Sequence, residues 1–453
     1  MNSTPIYDWK QLTKAQLFIL GIQHLFAFFG ATILVPILTG IYFHGEGLSV
    51  QTTLFFAGVG TLIFHACTRF QVPAFLGSSF AFLGGFSTVA ELDSGIYSNM
   101  SYSDKLDYAL GGIVIAGLLY IILAGVIKLV GVKTVMKFLP PVVTGPIIAC
   151  IGLGLAPSAI SNCSTNWSIA LVALITVIVF NIWGKGIFGI IPILMGVVIS
   201  YAFALVCHFI GITNTDGSAI FDFTTIASSS IIGLPQFHLA KFDITSILIM
   251  APIAIATMME HVGDISAISA TTKKNFIEDP GLHRTLIGDG LATSIAALFG
   301  GPANTTYGEN TGVLELSKIY TPVVVEIAAI FGIVLSIFPA ISQVIATIPS
   351  SIIGGISFIL YGMISAIGIR NMLENNVDLK KSRNLIIVAV IFVTGLGFTD
   401  GVTFSVFGTS ITLTSLALAS IAGIVLNAVL PGNDYNFESE SYTCDIIDSK
   451  RGE

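Results

Sequence analysis

Long apolar runs, separated by short polar breaks, occupy most of the chain. A membrane-spanning helix needs roughly 20 mostly apolar residues. Segments 16–40, 50–68, 108–130, 138–157, 166–183, 187–212, 243–270, 320–346, 350–371, 384–399 and 403–430 fit that pattern. Three further segments are less regular. Residues 73–87 are short and rich in Gly and Ser, and residues 284–301 are interrupted by Gly288-Asp289-Gly290. Residues 303–317 open on the polar run Ala303-Asn304-Thr305-Thr306-Tyr307-Gly308-Glu309-Asn310-Thr311-Gly312. Counted together these segments make fourteen.

The basic residues favour counting all of them. With fourteen spans and the N-terminus inside, every Lys and Arg of the 19 except Lys105 and Lys241 falls on the cytoplasmic side, as the positive-inside rule requires. Dropping an irregular segment would send the later basic loops outside. The breaks near 91–107 and 213–242 carry Glu91, Asp93, Asp104, Asp107 and Asp216, which suits the opposite face. Both termini are then cytoplasmic, in a multi-pass protein of the bacterial inner membrane. The polar stretch 431–453 reads as a cytoplasmic tail.

Composition sharpens the picture. Hydrophobic residues make up 54% of the chain and charged residues 10%, against about 25% charged in a soluble domain. The net charge of −7 does not indicate an acidic soluble protein, because the charges are confined to the breaks. No basic patch suits nucleic acid, and no nucleophile–base pair or metal cluster lies within the spans, so an enzyme is not expected. Cys67, Cys150, Cys163, Cys207 and Cys444 are odd in number and lack metal-type spacing, so they read as free thiols. The polar start, Met1 to Leu12, carries no evident cleaved leader.

Seven spans followed by seven would give two halves of opposite orientation, since an odd number inverts the second. Under that division the third and tenth segments correspond. The third reads Pro73-Ala74-Phe75-Leu76-Gly77-Ser78-Ser79-Phe80 and the tenth Pro302-Ala303-Asn304-Thr305-Thr306-Tyr307-Gly308-Glu309. Paired interrupted segments of this kind point to a transporter binding site. Backbone that leaves helix geometry within lipid must be buried in protein or line a cavity, and its free N–H groups would suit a planar ligand with ring carbonyls.

Intramembrane carboxylates are costly and point to function by default. Glu260 and Asp264 are spaced i, i+4 and share one helix face. Without a cation partner, at least one of them is expected to hold a proton or a hydrogen bond. Glu309 follows Gly308 in the tenth segment. Asp289 is either a proton-coupling group or part of a capping turn. His261 points about 100° away from Glu260 and reads as a packing residue, as does His24 beside Gln23.

At this point the sequence resembles the nucleobase–ascorbate transporter family, and within it the bacterial uracil permeases. The resemblance covers nearly all of residues 15–430. It is carried by Gly21 to Thr32, Leu76 to Phe82, Glu260-His261-Val262-Gly263, Asp279-Pro280-Gly281-Leu282-His283-Arg284, and Asn304-Thr305-Thr306-Tyr307-Gly308-Glu309-Asn310. It implies an all-α polytopic membrane protein of 14 segments in two inverted seven-span repeats, with short strands in spans 3 and 10. It further implies a core domain from residues 15–130 and 243–346, and a gate domain from 134–212 and 350–430. By the same resemblance Glu260 and Glu309 would hold pyrimidine ring nitrogens, and the backbone amides of Phe80 and Gly308 would meet the ring carbonyls. Tyr307, Ala31, Ser79 and Tyr361 would shape the pocket. Glu260, Asp264 and Asp289 would couple transport to protons, in a homodimer that imports uracil by proton symport without a cofactor. One position departs: the uracil branch carries histidine where this chain has Asp264, as purine-type relatives often do, while those relatives carry Gln at Glu309. A purine or xanthine symporter of the same fold is therefore the main rival. An anion transporter of the related sulfate or bicarbonate type is a weaker one, because Glu309 would make its site electronegative.

Overall fold

The computed structural model describes residues 5–221, 232–399, 401–406 and 409–432; nearly all of the expected tail lies outside them. The described chain is mostly helical. It runs through α1 (Lys14–Tyr42), α2 (Val50–Cys67), β1 (Leu76–Ser78), α3 (Leu83–Ala90), α4 (Tyr102–Val130) and α5 (Val132–Met136). Next come α6 (Pro141–Ser164), α7 (Trp167–Trp183), α8 (Ile187–Ile190), α9 (Pro192–Phe209), α10 (Ile244–Met250) and α11 (Ile253–Thr272). Then follow α12 (Leu282–Leu298), β2 (Asn304–Thr306), α13 (Gly308–Ser317), α14 (Pro322–Leu335) and α15 (Pro339–Ala346). The chain closes with α16 (Ser350–Glu374), α17 (Ser382–Gly397), β3 (Val402–Val406), β4 (Thr409–Leu413) and α18 (Ser415–Val429).

Among the described residues seven helices are long and apolar enough to cross a membrane: α1, α2, α4, α6, α9, α10 with α11, and α16. The pair α14–α15 is an eighth candidate, bent by 83°, and α7, α17 and α18 are apolar but shorter. The molecule is an integral, multi-pass membrane protein.

Three expected runs differ in form. Residues 403–430, expected as one span, are the hairpin β3–β4 followed by α18, with Val402 opposite Leu413 and Val406 opposite Thr409. Both strands are rich in β-branched residues, which fit a pleated sheet better than a helix. The run 187–212 breaks before Pro192, and the run 320–346 bends before Pro339, each proline taking the first position of a new helix, where its missing N–H costs nothing.

The helices pack in two sets. In one, α4 and α2 lie against α12, while α1 and α2 lie against α14. In the other, α6 pairs with α16, α7 with α9 and α16, and α17 with α18 and α6. Helix α11 touches both sets, reaching α4 and α13 on one side and α6 and α18 on the other. Small residues permit the closest approach: a Cβ added at Gly117 would stand 2.6 Å from the Gly290 carbonyl, and one at Gly290 would stand 2.6 Å from that of Gly117. Where lipid supplies no hydrophobic drive between helices, such backbone contact is a main source of association.

The two basic residues left on the acidic side by the sequence count are both engaged. Lys105 Nζ donates to Ala90 O at 3.1 Å. Lys241 Nζ bonds Asp104 Oδ1 at 2.5 Å and lies 3.0 Å from Asp107 Oδ2, tying the segment before α10 to the start of α4. These contacts give each lysine a local reason for its position.

Candidate functional site

Strands β1 and β2 come from segments far apart in sequence and pair antiparallel, Leu76 opposite Thr306, Gly77 opposite Thr305 and Ser78 opposite Asn304. Turn bonds extend the ladder at both ends, Ser79 N–H to Ala303 O and Tyr307 N–H to Phe75 O, each at 2.9 Å. All six strand residues are buried, so every backbone group must find a partner inside the protein.

Two threonines supply partners in parallel fashion. Thr61 of α2 accepts the Leu76 N–H at 2.9 Å and approaches Leu76 O at 3.2 Å. Thr293 of α12 accepts the Asn304 N–H at 3.1 Å and donates to Asn304 O at 3.1 Å. Each hydroxyl thus serves the first residue of its strand. We predict that Thr61→Val, of the same shape, destabilises the protein by about 1–3 kcal/mol, the cost of leaving a buried polar group unpaired, whereas Thr61→Ser retains the stability. Thermal unfolding in detergent checks this; a Val variant as stable as wild type would refute it.

Tyr307 braces the crossing. Its hydroxyl donates to Ser78 O at 2.9 Å and lies 3.1 Å from Ser78 Oγ and 3.3 Å from Thr32 Oγ1 of α1. A side chain at Gly77 would collide with the Tyr307 ring, so only glycine lets that ring lie across the strand. Tyr307 therefore shapes the site from behind, with its hydroxyl already occupied.

After each strand the chain enters a helix that lacks a side-chain cap, α3 after Phe82 and α13 after Tyr307. Such N-termini leave N–H groups free and carry partial positive charge. Among the described residues neither the Phe80 nor the Gly308 N–H is consumed by the ladder or by a turn bond. A Cβ at Gly308 would meet nothing within 4 Å, so open space lies beside that position.

The carboxylates sort into different situations. Glu260 and Asp264 each lie within electrostatic reach of Asp289 and Glu309, and among the described residues no Lys or Arg pairs with any of the four. The side chain of Asp264 accepts a short hydrogen bond from Thr306 Oγ1, which fixes β2 to α11. Asp289 Oδ2 lies 2.8 Å from His261 Nδ1, both side chains being fully buried. Glu260 and Glu309 accept no side-chain hydrogen bond from another described residue and are partly accessible.

Of the remaining expected residues, Ala31 and Ser79 are buried and Tyr361 is 1% exposed. Among the described residues the Ser79 Oγ has no hydrogen-bond partner, the Tyr361 hydroxyl lies near those of Ser357 and Ser158, and the Tyr361 ring meets Phe80 edge-on at 6.0 Å. His24 is structural as expected: Asn310 Nδ2 lies 3.1 Å from both its Nδ1 and its carbonyl oxygen. His261 differs from expectation. The rotation that turns it away from Glu260 aims it at Asp289 in the middle of α12, so the reading of Asp289 as a capping turn does not hold. A further partner not expected from sequence is Glu326 in α14, whose Oε1 lies 3.2 Å from Nδ1 of the buried His65, while His65 Nε2 lies 2.9 Å from Ala74 O. Its signal was available, as a lone carboxylate inside an apolar run.

Comparison with known proteins decides the family. The family model Xan_ur_permease, described as a permease family, matches residues 15–404. The chain belongs to this nucleobase–ascorbate transporter family. This permease is 37% identical over 441 residues to the probable uracil permease of Haemophilus influenzae, covering 95% of this chain and 98% of the relative. It is 38% identical over 447 residues to the uracil permease of Bacillus caldolyticus, covering 95% and 96%. Among solved structures it is similar in fold to the transmembrane domain of the cyanobacterial bicarbonate transporter BicA, at a TM-score of 0.59 and 18% identity, covering 84% of this chain and 96% of that one. The overall structure of SLC26A9 is similar at a TM-score of 0.62 and 11% identity, covering 93% and 66%. At such identities the likeness concerns the fold alone.

Proposed function

We propose that this permease imports uracil by proton symport, with the ligand held at the strand crossing. The observation that carries the reading is complementarity. Uracil presents two N–H donors and two carbonyl acceptors. The site offers two carboxylates that accept no hydrogen bond from another described residue, Glu260 and Glu309, and two backbone amides, at Phe80 and Gly308, that no ladder or turn bond among the described residues consumes. Ser79 adds a hydroxyl with no partner among the described residues. The names of the relatives point the same way. A charged carboxylate accepts a ligand N–H more strongly than a neutral group does, and a cluster of four acids without a basic partner favours uptake of a proton with the ligand.

On this reading α14 with α15 is one bent span, α3 and α13 complete the two interrupted spans, and α7, α12, α17 and α18 are short spans, giving fourteen. The antiparallel pairing of β1 with β2 and the matched roles of Thr61 and Thr293 support two inverted repeats. The two packing sets correspond to core (15–130, 243–346) and gate (134–212, 350–430), which move against each other to expose the site alternately. Both termini are cytoplasmic in the inner membrane, and the protein works as a homodimer, a state that rests on the family resemblance. Asp264, which in sequence favoured a purine substrate, is occupied in holding Thr306. The acidic surround speaks against an anion.

Reconstitution tests the reading. Labelled uracil is expected to accumulate in proteoliposomes under an inward proton gradient, to stop when the gradient is collapsed, and to resist competition by xanthine. Gradient-driven xanthine uptake with none of uracil would overturn the substrate assignment, and uracil accumulation indifferent to the gradient would overturn the coupling.

A further inference from the structure

A cavity of about 250 Å³ opens between the ends of α1, α3 and α4, apart from the strand crossing. It is lined by Tyr42, His44, Ser87, Glu91 and Tyr102, among others. By the charge pattern it faces outward, since the neighbouring breaks carry Glu46, Glu91, Asp93 and Asp104. Small-molecule sites run from roughly 300 to 1,000 Å³, so this one suits a single small ring.

Its walls are built. The Tyr102 ring is held by Lys105, whose Nζ stands 5.2 Å from the ring centroid and is itself fixed on Ala90 O. The Ser103 N–H donates to Glu46 Oε2 at 2.6 Å, pinning the α1–α2 connection to the first turn of α4. The His44 ring lies 4.6 Å from that of Tyr102, and Ser87 Oγ donates to Glu91 Oε1 at 3.4 Å. Aromatic faces therefore stand beside a carboxylate that can accept ring N–H groups. Packed side chains join the cavity wall to the inner site: Tyr42 approaches Ser158 of α6, Ser158 approaches Tyr361 of α16, and Tyr361 contacts Phe80. We infer that this cavity is an outer recognition site for the planar nucleobase, which stacks on Tyr102 and is held by Glu91 before it passes the Tyr42–Tyr361 barrier. The inference rests on the nucleobase reading of the inner site.

Aromatic stacking of a base is worth about 1–3 kcal/mol. Tyr102→Ala is therefore expected to raise the KM for uracil uptake in proteoliposomes by about 5-fold or more while leaving the maximal rate nearly unchanged, and Tyr102→Phe to behave as wild type. Equilibrium dialysis of labelled uracil against purified full-length protein should detect two binding events per chain. In Glu309→Ala the weaker event should persist, and adding Tyr102→Ala should remove it. If Tyr102→Ala does not fold, Glu91→Gln decides by the same KM measurement, with a rise expected. One binding event in a wild type that transports uracil, or an unchanged KM in the folded variants, would overturn the outer site alone. No uracil binding at all by wild type would overturn both readings.

Discussion

Glu309→Gln is expected to lower the affinity of this permease for uracil by about 10–100-fold and to abolish uptake against a concentration gradient. A hydrogen bond to a charged group contributes about 1.5–3 kcal/mol, and every 1.4 kcal/mol is a factor of ten in affinity. Glutamine keeps the shape and one acceptor but carries no charge and titrates no proton. The position makes the substitution severe. Glu309 stands in the first turn of α13, where the helix end favours negative charge, and no other described side chain hydrogen-bonds it. The two effects separate experimentally: equilibrium binding reads the contact, and the ratio of gradient-driven uptake to exchange at zero gradient reads the coupling. A variant that binds uracil as wild type does and still accumulates it would show that Glu309 touches neither ligand nor proton.

The second large effect is expected at His261 and Asp289, fully buried and 2.8 Å apart. Removing one member of a buried polar pair typically costs about 1–3 kcal/mol, because the other is left unsatisfied. His261→Ala alone should therefore lower thermal stability in detergent markedly. Replacing both with apolar residues of similar volume is often nearly neutral, so His261→Leu/Asp289→Leu should recover most of that loss. The double variant then tests function. If Asp289 belongs to the proton path, as we propose, the recovered protein folds and binds uracil but does not concentrate it. Full gradient-driven uptake by the double variant would show the pair to be a brace alone, and a single variant as stable as wild type would contradict the energetic argument.

Much of this was legible in sequence because lipid imposes strong local rules. Apolar runs of helical length, the placement of Lys and Arg, and the cost of an intramembrane carboxylate each act on a short stretch and need no knowledge of the fold. The paired Pro-Ala segments were read as corresponding pieces, and they do meet, strand to strand. The errors fell where local pattern is ambiguous. Residues 403–430 were apolar enough for a span, but the β-branched residues of Val402–Val406 and Thr409–Leu413 form a hairpin.

The roles of the polar residues divide along the same line. The sequence alone marked Glu260, Asp264, Asp289 and Glu309 as functional candidates, since a carboxylate in an apolar run stands out wherever it points. Which of the four is free was decided only by tertiary structure. Asp264 is taken by Thr306, from 42 residues later in the chain, and Asp289 by His261 across two packed helices. Glu260 and Glu309 accept no side-chain hydrogen bond from another described residue. Thr61 and Thr293 were silent in sequence, because a threonine in a helix is unremarkable until a strand from elsewhere arrives with backbone groups to satisfy. Hydrophobicity and charge are properties of a residue and can be read one at a time; partnership is a property of a pair, and for these residues only the folded chain supplies the partner.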